Sequence, residues 1–489
     1  MRLPDGRHFA LTWGIPEHYG GMTAAMLHRS RAMVQLGGVP VTILTLDDRA
    51  DTAQLQERML RSGELVEGMR LRNLWDDLRA SPPKAAKRVP LGAAPLEPED
   101  GDVVVEHDGT VLLRRREGDD GVHGVDRFRH DGSLLATERL VDGRRRVVVH
   151  DATGDAIREF ASTWALDRWW LDRLTAGSTS FVLVDSKTAA RFVTSYRRDH
   201  VITTHIVHGG HRDGDRAGSL RASREYSLRR AEQFDAIVVL TQRQRDELVD
   251  DAITTGRPAV VIPNGIDLHE VETGGRDPGR GVVLAALTAR KRVDHAVGAV
   301  AAAATEEPTI TLDVFGDGEC RGEVEARIHQ EQADGLVRLH GHRPGAKTAF
   351  RTAGFSLLTS TSEGLPLVLV ESMAAGCIPI AYDIRYGPSD VIRHGVDGFL
   401  VPAGDEAAMT AAILRFVRMP PAEQEAMRRR AVERAQEFSD LAVTRRWADL
   451  LADSLDRKRV AGARTASLMT RLRRRAGVVK RRLLRAVGR

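Results

Sequence analysis

Apolar and polar positions alternate with two different periods along this chain, and the switches between them mark its parts. His8–Gly14 is an apolar run, Gly20 and Gly21 follow it, and Thr23–Leu36 places Met26, Met33 and Leu36 at helical spacing. Gly37-Gly38 ends that helix, and Val39–Leu46 is β-rich in the manner of a buried parallel strand. Strand, glycine turn, helix and strand in this order predict a βαβ unit. Pro82, Pro83, Pro90, Pro95 and Pro98 then punctuate the chain and mark a boundary. Beyond it lie short β runs (Val103–Val105, Ser133–Val141, Arg145–His150) separated by Asp-Gly turns, with Gly132, Gly143 and Gly154 recurring every 11 residues. That spacing predicts a meander of antiparallel hairpins.

The α/β rhythm then resumes. Phe181–Asp185, Val201–Val207, Ala236–Leu240 and Val260–Ile262 are strand candidates with helical stretches between them. A second block offers Val282–Leu287, Thr309–Phe315, Val337–Leu339, Phe355–Thr359, Ile378–Tyr382 and Phe399–Val401. The fold class is therefore α/β. The predicted parts are a first Rossmann-like domain over 1–97 and 159–270, an inserted β-meander over 98–158, and a glycine-rich linker over 271–281. A second Rossmann-like domain with closing helices covers 282–456, and a basic amphipathic tail covers 457–489. Two such blocks joined by a linker make an interdomain cleft the natural ligand site.

Composition narrows the class. With 42% hydrophobic residues in 489 the chain can bury cores, and two cysteines, Cys320 and Cys377, make neither a disulfide framework nor a four-cysteine zinc site. No apolar run approaches the ~18 residues of a membrane span, and Met1–Trp13 lacks the features of a signal peptide, so a cytoplasmic protein is expected. The net charge of +4 hides an asymmetry: residues 1–456 carry 59 basic against 68 acidic side chains, whereas the rest carries 13 basic and none acidic. An acidic body disfavours general nucleic-acid binding. From Met469 on, Leu472, Ala476, Val479, Leu483 and Val487 recur at helical spacing among arginines. Residues 469–489 are thus expected to be either a solvated end or a peripheral contact with an anionic membrane surface.

The chemistry concentrates in Glu363-Gly364-Leu365-Pro366-Leu367-Val368-Leu369-Val370-Glu371-Ser372-Met373-Ala374-Ala375-Gly376. The pattern is a tight loop followed by a short helix, with Pro366 near its first position and Gly376 at its close. A helix N-terminus behind a glycine loop presents free amides and a positive dipole end to a diphosphate. Glu363 falls in the loop and Glu371 inside the helix, where a carboxylate can accept from ribose hydroxyls. His205, His208 and His211 have metal-like spacing, but the first two face opposite sides of a strand, and no metal site is expected there. Asp213-Gly214-Asp215 reads as a surface turn.

Glu-x7-Glu with this loop resembles the retaining glycosyltransferases of family 4, which have the GT-B architecture. Gly20-Gly21-Met22-Thr23, Thr241 with Gln244, Ile262-Pro263-Asn264-Gly265 and Gly316-Asp317-Gly318 fit that resemblance. So does Tyr386-Gly387-Pro388-Ser389-Asp390, which is similar to the branch of poly(glycerol-phosphate) and wall-teichoic-acid α-glycosyltransferases and of enzymes that glycosylate serine-rich surface proteins. The resemblance implies two Rossmann-like domains facing a cleft, a β-rich insertion in the first, and transfer of glucose or N-acetylglucosamine from a UDP-sugar without a metal or other cofactor.

It further implies Glu363, Lys291 and His208 as catalytic residues. Gly20, Gly21, Arg290, Lys291, Gly316, Glu363, Gly364, Leu365, Pro366, Leu367 and Glu371 would bind the donor. The acceptor would be an anionic polyol-phosphate polymer at the inner membrane face or a Ser/Thr-rich protein, and a homo-oligomer is compatible with it. The family pattern has an arginine five residues before the lysine, where this chain has Ala286. Arg290 and Arg292 flank Lys291 as substitutes, and an inactive binding or scaffold protein is the alternative that Ala286 supports.

Overall fold

The computed structural model describes residues 1–49, 51–86, 94–107, 109–118, 121–141, 143–212, 219–254, 259–268 and 276–461. The basic stretch 469–489 and Asp213-Gly214-Asp215 lie outside the described residues. The chain opens with β1 (Arg7–Leu11), β2 (Val41–Thr45) and β3 (Met69–Asn73). It continues through β4 (Val103–His107), β5 (Thr110–Gly118), β6 (Gly121–Phe128), β7 (Leu134–Val141), β8 (Arg144–His150) and β9 (Ala156–Phe160). It then returns with β10 (Ser180–Val184), β11 (Val201–Val207), β12 (Ala236–Val239) and β13 (Ala259–Val261). A second series comprises β14 (Asp277–Leu284), β15 (Thr311–Phe315), β16 (Val337–Leu339), β17 (Ala353–Leu358), β18 (Ile378–Asp383) and β19 (Phe399–Pro402).

Helices connect the parallel strands. They are α1 (Gly21–Gln35), α2 (Thr52–Arg61), α3 (Leu74–Ala80), α4 (Thr163–Thr175), α5 (Lys187–Val193), α6 (Ala222–Leu228) and α7 (Gln242–Asp250). The second series has α8 (Val293–Glu306), α9 (Arg321–Gln330) and α10 (Leu367–Ala374).

Both parallel sheets are wound alike. The first has the order β13-β12-β11-β10-β1-β2-β3 and the second β16-β15-β14-β17-β18-β19. In each, the chain starts in the middle, winds outward, then crosses back to wind the other way, which is the doubly wound plan of a Rossmann-like fold. The strands are apolar because helices cover the sheets: β10 and β11 are buried at every position. Packing divides the chain into two compact units, one of residues 206–232 and 236–447, the other built mainly from residues 2–205 and 448–461.

The third sheet is the predicted meander. Its order β4-β5-β6-β7-β8-β9 is consecutive and every pairing is antiparallel. Gly132, Gly143 and Gly154 have φ of +79°, +68° and +90°, the left-handed turn conformation that explains their period. The meander outruns the expected 158 boundary, since β9 ends at Phe160. The sheet is buried at one end of its strands, over 124–127 of β6 and 147–150 of β8, where the Arg127 guanidinium lies 3.8 Å over the Trp75 ring and 2.5 Å from the Asp48 carboxylate.

The linker expected over 271–281 is corrected at its end. β14 begins at Asp277, and its glycines serve close packing instead of flexibility. A Cβ on Gly281 would fall 2.5 Å from the Phe355 ring, and one on Gly279 would fall 2.9 Å from the Thr309 carbonyl. Among the described residues no helix is long and apolar enough to cross a membrane.

Candidate active site

The second sheet places the site. Its chain leaves β14 toward β15 on one side and crosses back to β17 on the other, so the winding reverses between β14 and β17. The carboxyl ends of the strands at such a switch point are where doubly wound sheets place their ligands. The loop after β14 carries Arg290 and Lys291, and the loop after β17 carries Glu363. Lys291 Nζ donates to Glu363 Oε1 at 2.5 Å, and Arg290 Nη1 lies 3.1 Å from Oε2. The Glu363 side chain is only 11% exposed, whereas that of Arg290 is half exposed. Backbone bonds stitch the two loops: Thr361 N donates to the Arg290 carbonyl at 2.8 Å, and Thr359 Oγ1 donates to the Lys291 carbonyl at 2.9 Å. Arg290, placed beside Lys291 by sequence, thus shares the same carboxylate. Ala286 lies exposed in the loop after β14.

Glycine is required where these loops touch their neighbours. Gly316, in the loop after β15, has φ +147°, and a Cβ there would fall 1.8 Å from the Ala285 carbonyl oxygen. A Cβ on Gly364 would fall 2.1 Å from the carbonyl of His208, in the loop after β11. Leu365 is buried and Pro366 caps α10 in an extended conformation, so Leu367 is the first helical residue, one position later than expected. Glu371 lies in α10, and its Oε1 accepts from Lys347 Nζ at 2.6 Å. Lys347 is 69% exposed and comes from the 3₁₀ turn Ala346–Arg351.

Another polar cluster adjoins the Glu363 loop. Glu363 N donates to the Arg385 carbonyl at 3.2 Å, and Tyr386 N donates to the Glu363 carbonyl at 3.0 Å. The Tyr386 ring stacks on the buried His211 with centroids 5.7 Å apart, and its hydroxyl donates to Glu247 of α7. Burial holds the His211 imidazole down to about 4, partly countered by the Glu247 carboxylate, so it is neutral at physiological pH. Gln244 Nε2, on the same helix, donates to the Gly209 carbonyl at 3.0 Å.

The remaining expected residues fall elsewhere. Gly20 caps α1 and Gly21 opens it, in the other unit, and a Cβ on either meets nothing within 4 Å. His205 is buried in β11 with Nδ1 2.9 Å from the Val184 carbonyl, a structural partner. Among the described residues no cluster of three His, Cys, Asp or Glu side chains is placed to hold a metal ion. Sequence reasoning missed Lys347 and Glu247, whose partners lie 24 and 139 residues away and leave no local signal.

The sequence model of the family described as "Glycosyl transferases group 1" matches residues 276–438, the segment that holds Lys291, Glu363 and Glu371. Residues 276–438 thus resemble a group 1 glycosyltransferase domain. The chain is 32% identical over 237 residues to an exopolysaccharide phosphotransferase of Streptomyces coelicolor, an alignment covering 47% of this chain and 24% of that one. It thus matches about a quarter of that relative's length. It is 25% identical over 346 residues to the GtfA subunit of a UDP-N-acetylglucosamine–peptide N-acetylglucosaminyltransferase of Streptococcus gordonii, covering 68% and 67% of the two chains. With a poly(ribitol-phosphate) α-N-acetylglucosaminyltransferase of Staphylococcus aureus it shares 20% over 296 residues, covering 60% and 59%.

Among solved structures, TarM superposes with a TM-score of 0.69 at 18% identity, covering 91% of this chain and 98% of that one. The pneumococcal O-GlcNAc transferase GtfA in complex with UDP and GlcNAc superposes at 0.64 and 19%, covering 92% and 99%. These likenesses show the fold, which is GT-B. The matched segment, residues 276–438, is the second parallel sheet with its surrounding helices.

Proposed function

We propose that this protein transfers glucose or N-acetylglucosamine from a UDP-sugar to a hydroxyl of a polyol-phosphate polymer, keeping the α-configuration. The observation that carries the reading is the convergence of Lys291 and Arg290 on Glu363 at the switch point of the segment that resembles a group 1 domain. In the reaction the bond between the sugar carbon and the UDP phosphate oxygen breaks, the acceptor hydroxyl oxygen bonds to that carbon, and the hydroxyl proton passes to the departing diphosphate. Charge then grows on the departing diphosphate, where Lys291, Arg290 and the first amides of α10 are aimed. On this reading they meet that charge without a metal ion. Glu363 contacts the donor sugar, Glu371 the ribose hydroxyls, and Gly316 and Gly364 let the backbone approach the nucleotide. His208 stands on the sugar and acceptor side.

A peptide acceptor is the second reading, favoured by the relative from Streptococcus gordonii, whose alignment spans the larger share of this chain.

The test is UDP release from a panel of UDP-sugars in EDTA, with polyol-phosphate polymer, with Ser/Thr-rich peptide, and with neither. Polymer-dependent release from one donor is expected, lost in Glu371→Ala. Lys291→Ala should be slowed by roughly 10²–10³-fold, the usual effect of removing one transition-state donor. Release that depends on the peptide alone would select the second reading. Tight UDP binding without release from any donor would leave a scaffold.

A further inference from the structure

We propose that Glu247 is a positioning residue that fixes the backbone of Glu363 through Arg385 and Tyr386. Glu247 lies on α7, and its side chain is 16% exposed. Its Oε1 is 2.9 Å from Arg385 Nε, while Oε2 accepts from the Tyr386 hydroxyl and lies 3.4 Å from Arg212 Nε. Those two residues, Arg385 and Tyr386, are the ones whose backbone groups hold both the N–H and the carbonyl of Glu363, at 3.2 and 3.0 Å. The chain of contacts therefore runs from a carboxylate on one helix, through two side chains, to the two hydrogen bonds that orient the Glu363 peptide.

The chemistry of the cluster supports a fixed arrangement. Burial first, then the adjacent carboxylate, push the Tyr386 phenol upward, so it stays protonated and donates. His211 stacks on the Tyr386 ring in neutral form, its Nδ1 3.4 Å from the hydroxyl, and adds no competing charge. Removing the Glu247 carboxylate takes away the ion pair of Arg385 and leaves the buried Tyr386 hydroxyl with only His211 Nδ1, 3.4 Å away, so both side chains lose the anchor that fixes them. One turn earlier on α7, Gln244 holds the Gly209 carbonyl, beside the His208 carbonyl against which Gly364 packs. A single helix face thus sets the Glu363 loop and the His208 loop together. Among the described residues Glu247 pairs with Arg385, Tyr386 and Arg212 and makes no ion pair with Lys291 or Arg290.

The kinetic consequence rests on the proposed transfer reaction, but the structural one does not. The experiment is amide hydrogen exchange on the full chain for wild type, Glu247→Ala, Glu247→Gln and Tyr386→Phe, paired with UDP titration and UDP-sugar turnover. In Glu247→Ala, peptides containing Glu363 and Tyr386 should exchange roughly ten-fold faster while α8 and β14 keep their protection. UDP affinity should stay within about two-fold and turnover fall by about 10²-fold, the cost of a misplaced reacting group. Glu247→Gln, which still accepts from the phenol, should recover part of both losses.

Unchanged exchange at Glu363 and Tyr386 in the folded Ala variant overturns the proposal. So does a uniform rise across residues 276–438, which would make Glu247 a plain stability residue. If the Ala variant does not fold, Tyr386→Phe decides the same point at the Glu363 peptide. A wild type without turnover would sink the transferase reading and leave the exchange result to judge Glu247.

Discussion

Ala286 stands exposed after β14, five residues before Lys291, where the resemblance implies an arginine. The cation that this chain does bring to the place is Arg290, 3.1 Å from Glu363. Restoring a guanidinium with Ala286→Arg should tighten UDP binding by about ten-fold, since a hydrogen bond to a charged group is worth about 1.5–3 kcal/mol. Calorimetric titration checks it, and an unchanged affinity would mean that Arg290 already does the work of the absent side chain. At this scale the candidate site was legible wherever it is local. Glu363, Gly364, Pro366 and Glu371 follow one another in a single loop and helix, and their order alone points to an anion site. Lys347 and Glu247 were not legible, because an ion pair or hydrogen bond closed across a fold is written in neither partner's neighbourhood. Gly20 and Gly21 were legible as a turn, yet no close neighbour explains why either must be glycine.

Among the elements, α4 carries a residue that the fold treats against its nature. Asp167 is buried, and burial raises its carboxyl from the ordinary value near 3.8 to about 8, with Glu138 adding to the rise and Arg168 opposing it. The sign follows from proton linkage. The folded protein holds a proton that the unfolded chain has released, so stability is full below pH 3.8 and is lost progressively up to pH 8. At about 1.4 kcal/mol for each pH unit between the two values, the loss amounts to several kcal/mol. Asp167→Asn should therefore raise the melting temperature by several degrees at pH 8 and change it little at pH 4. Equal shifts at both pH values would refute the burial argument.

The elements that the sequence pattern predicted are those with a strong period: the buried strands of both parallel sheets and the meander with its regular Asp-Gly turns. β3, which reads Met-Arg-Leu-Arg-Asn at the edge of its sheet, and the polar α2 escaped notice. An edge element exposes half its residues, so its sequence resembles a loop. β6 hid for another reason: Asp126 and Arg127 are buried there by pairing with Arg139 and with Asp48, charges that a hydrophobic pattern cannot anticipate.

For the whole molecule, the charge asymmetry is the property to test. The 13 basic residues after Asp456 follow an acidic body, and juxtamembrane cations contribute about 1 kcal/mol each near an anionic surface. Deleting 469–489 should abolish co-sedimentation with phosphatidylserine-containing vesicles at low salt and leave UDP affinity unchanged. Equal sedimentation of both chains would remove the membrane from the account. The two parallel sheets also share one winding, each with its own switch point. A protein wound twice on the same plan has separable halves in an evolutionary sense. The loops of one sheet can change without disturbing the winding of the other. Relatives named for a peptide and for a poly(ribitol-phosphate) chain can descend from such a scaffold without reinventing their chemistry.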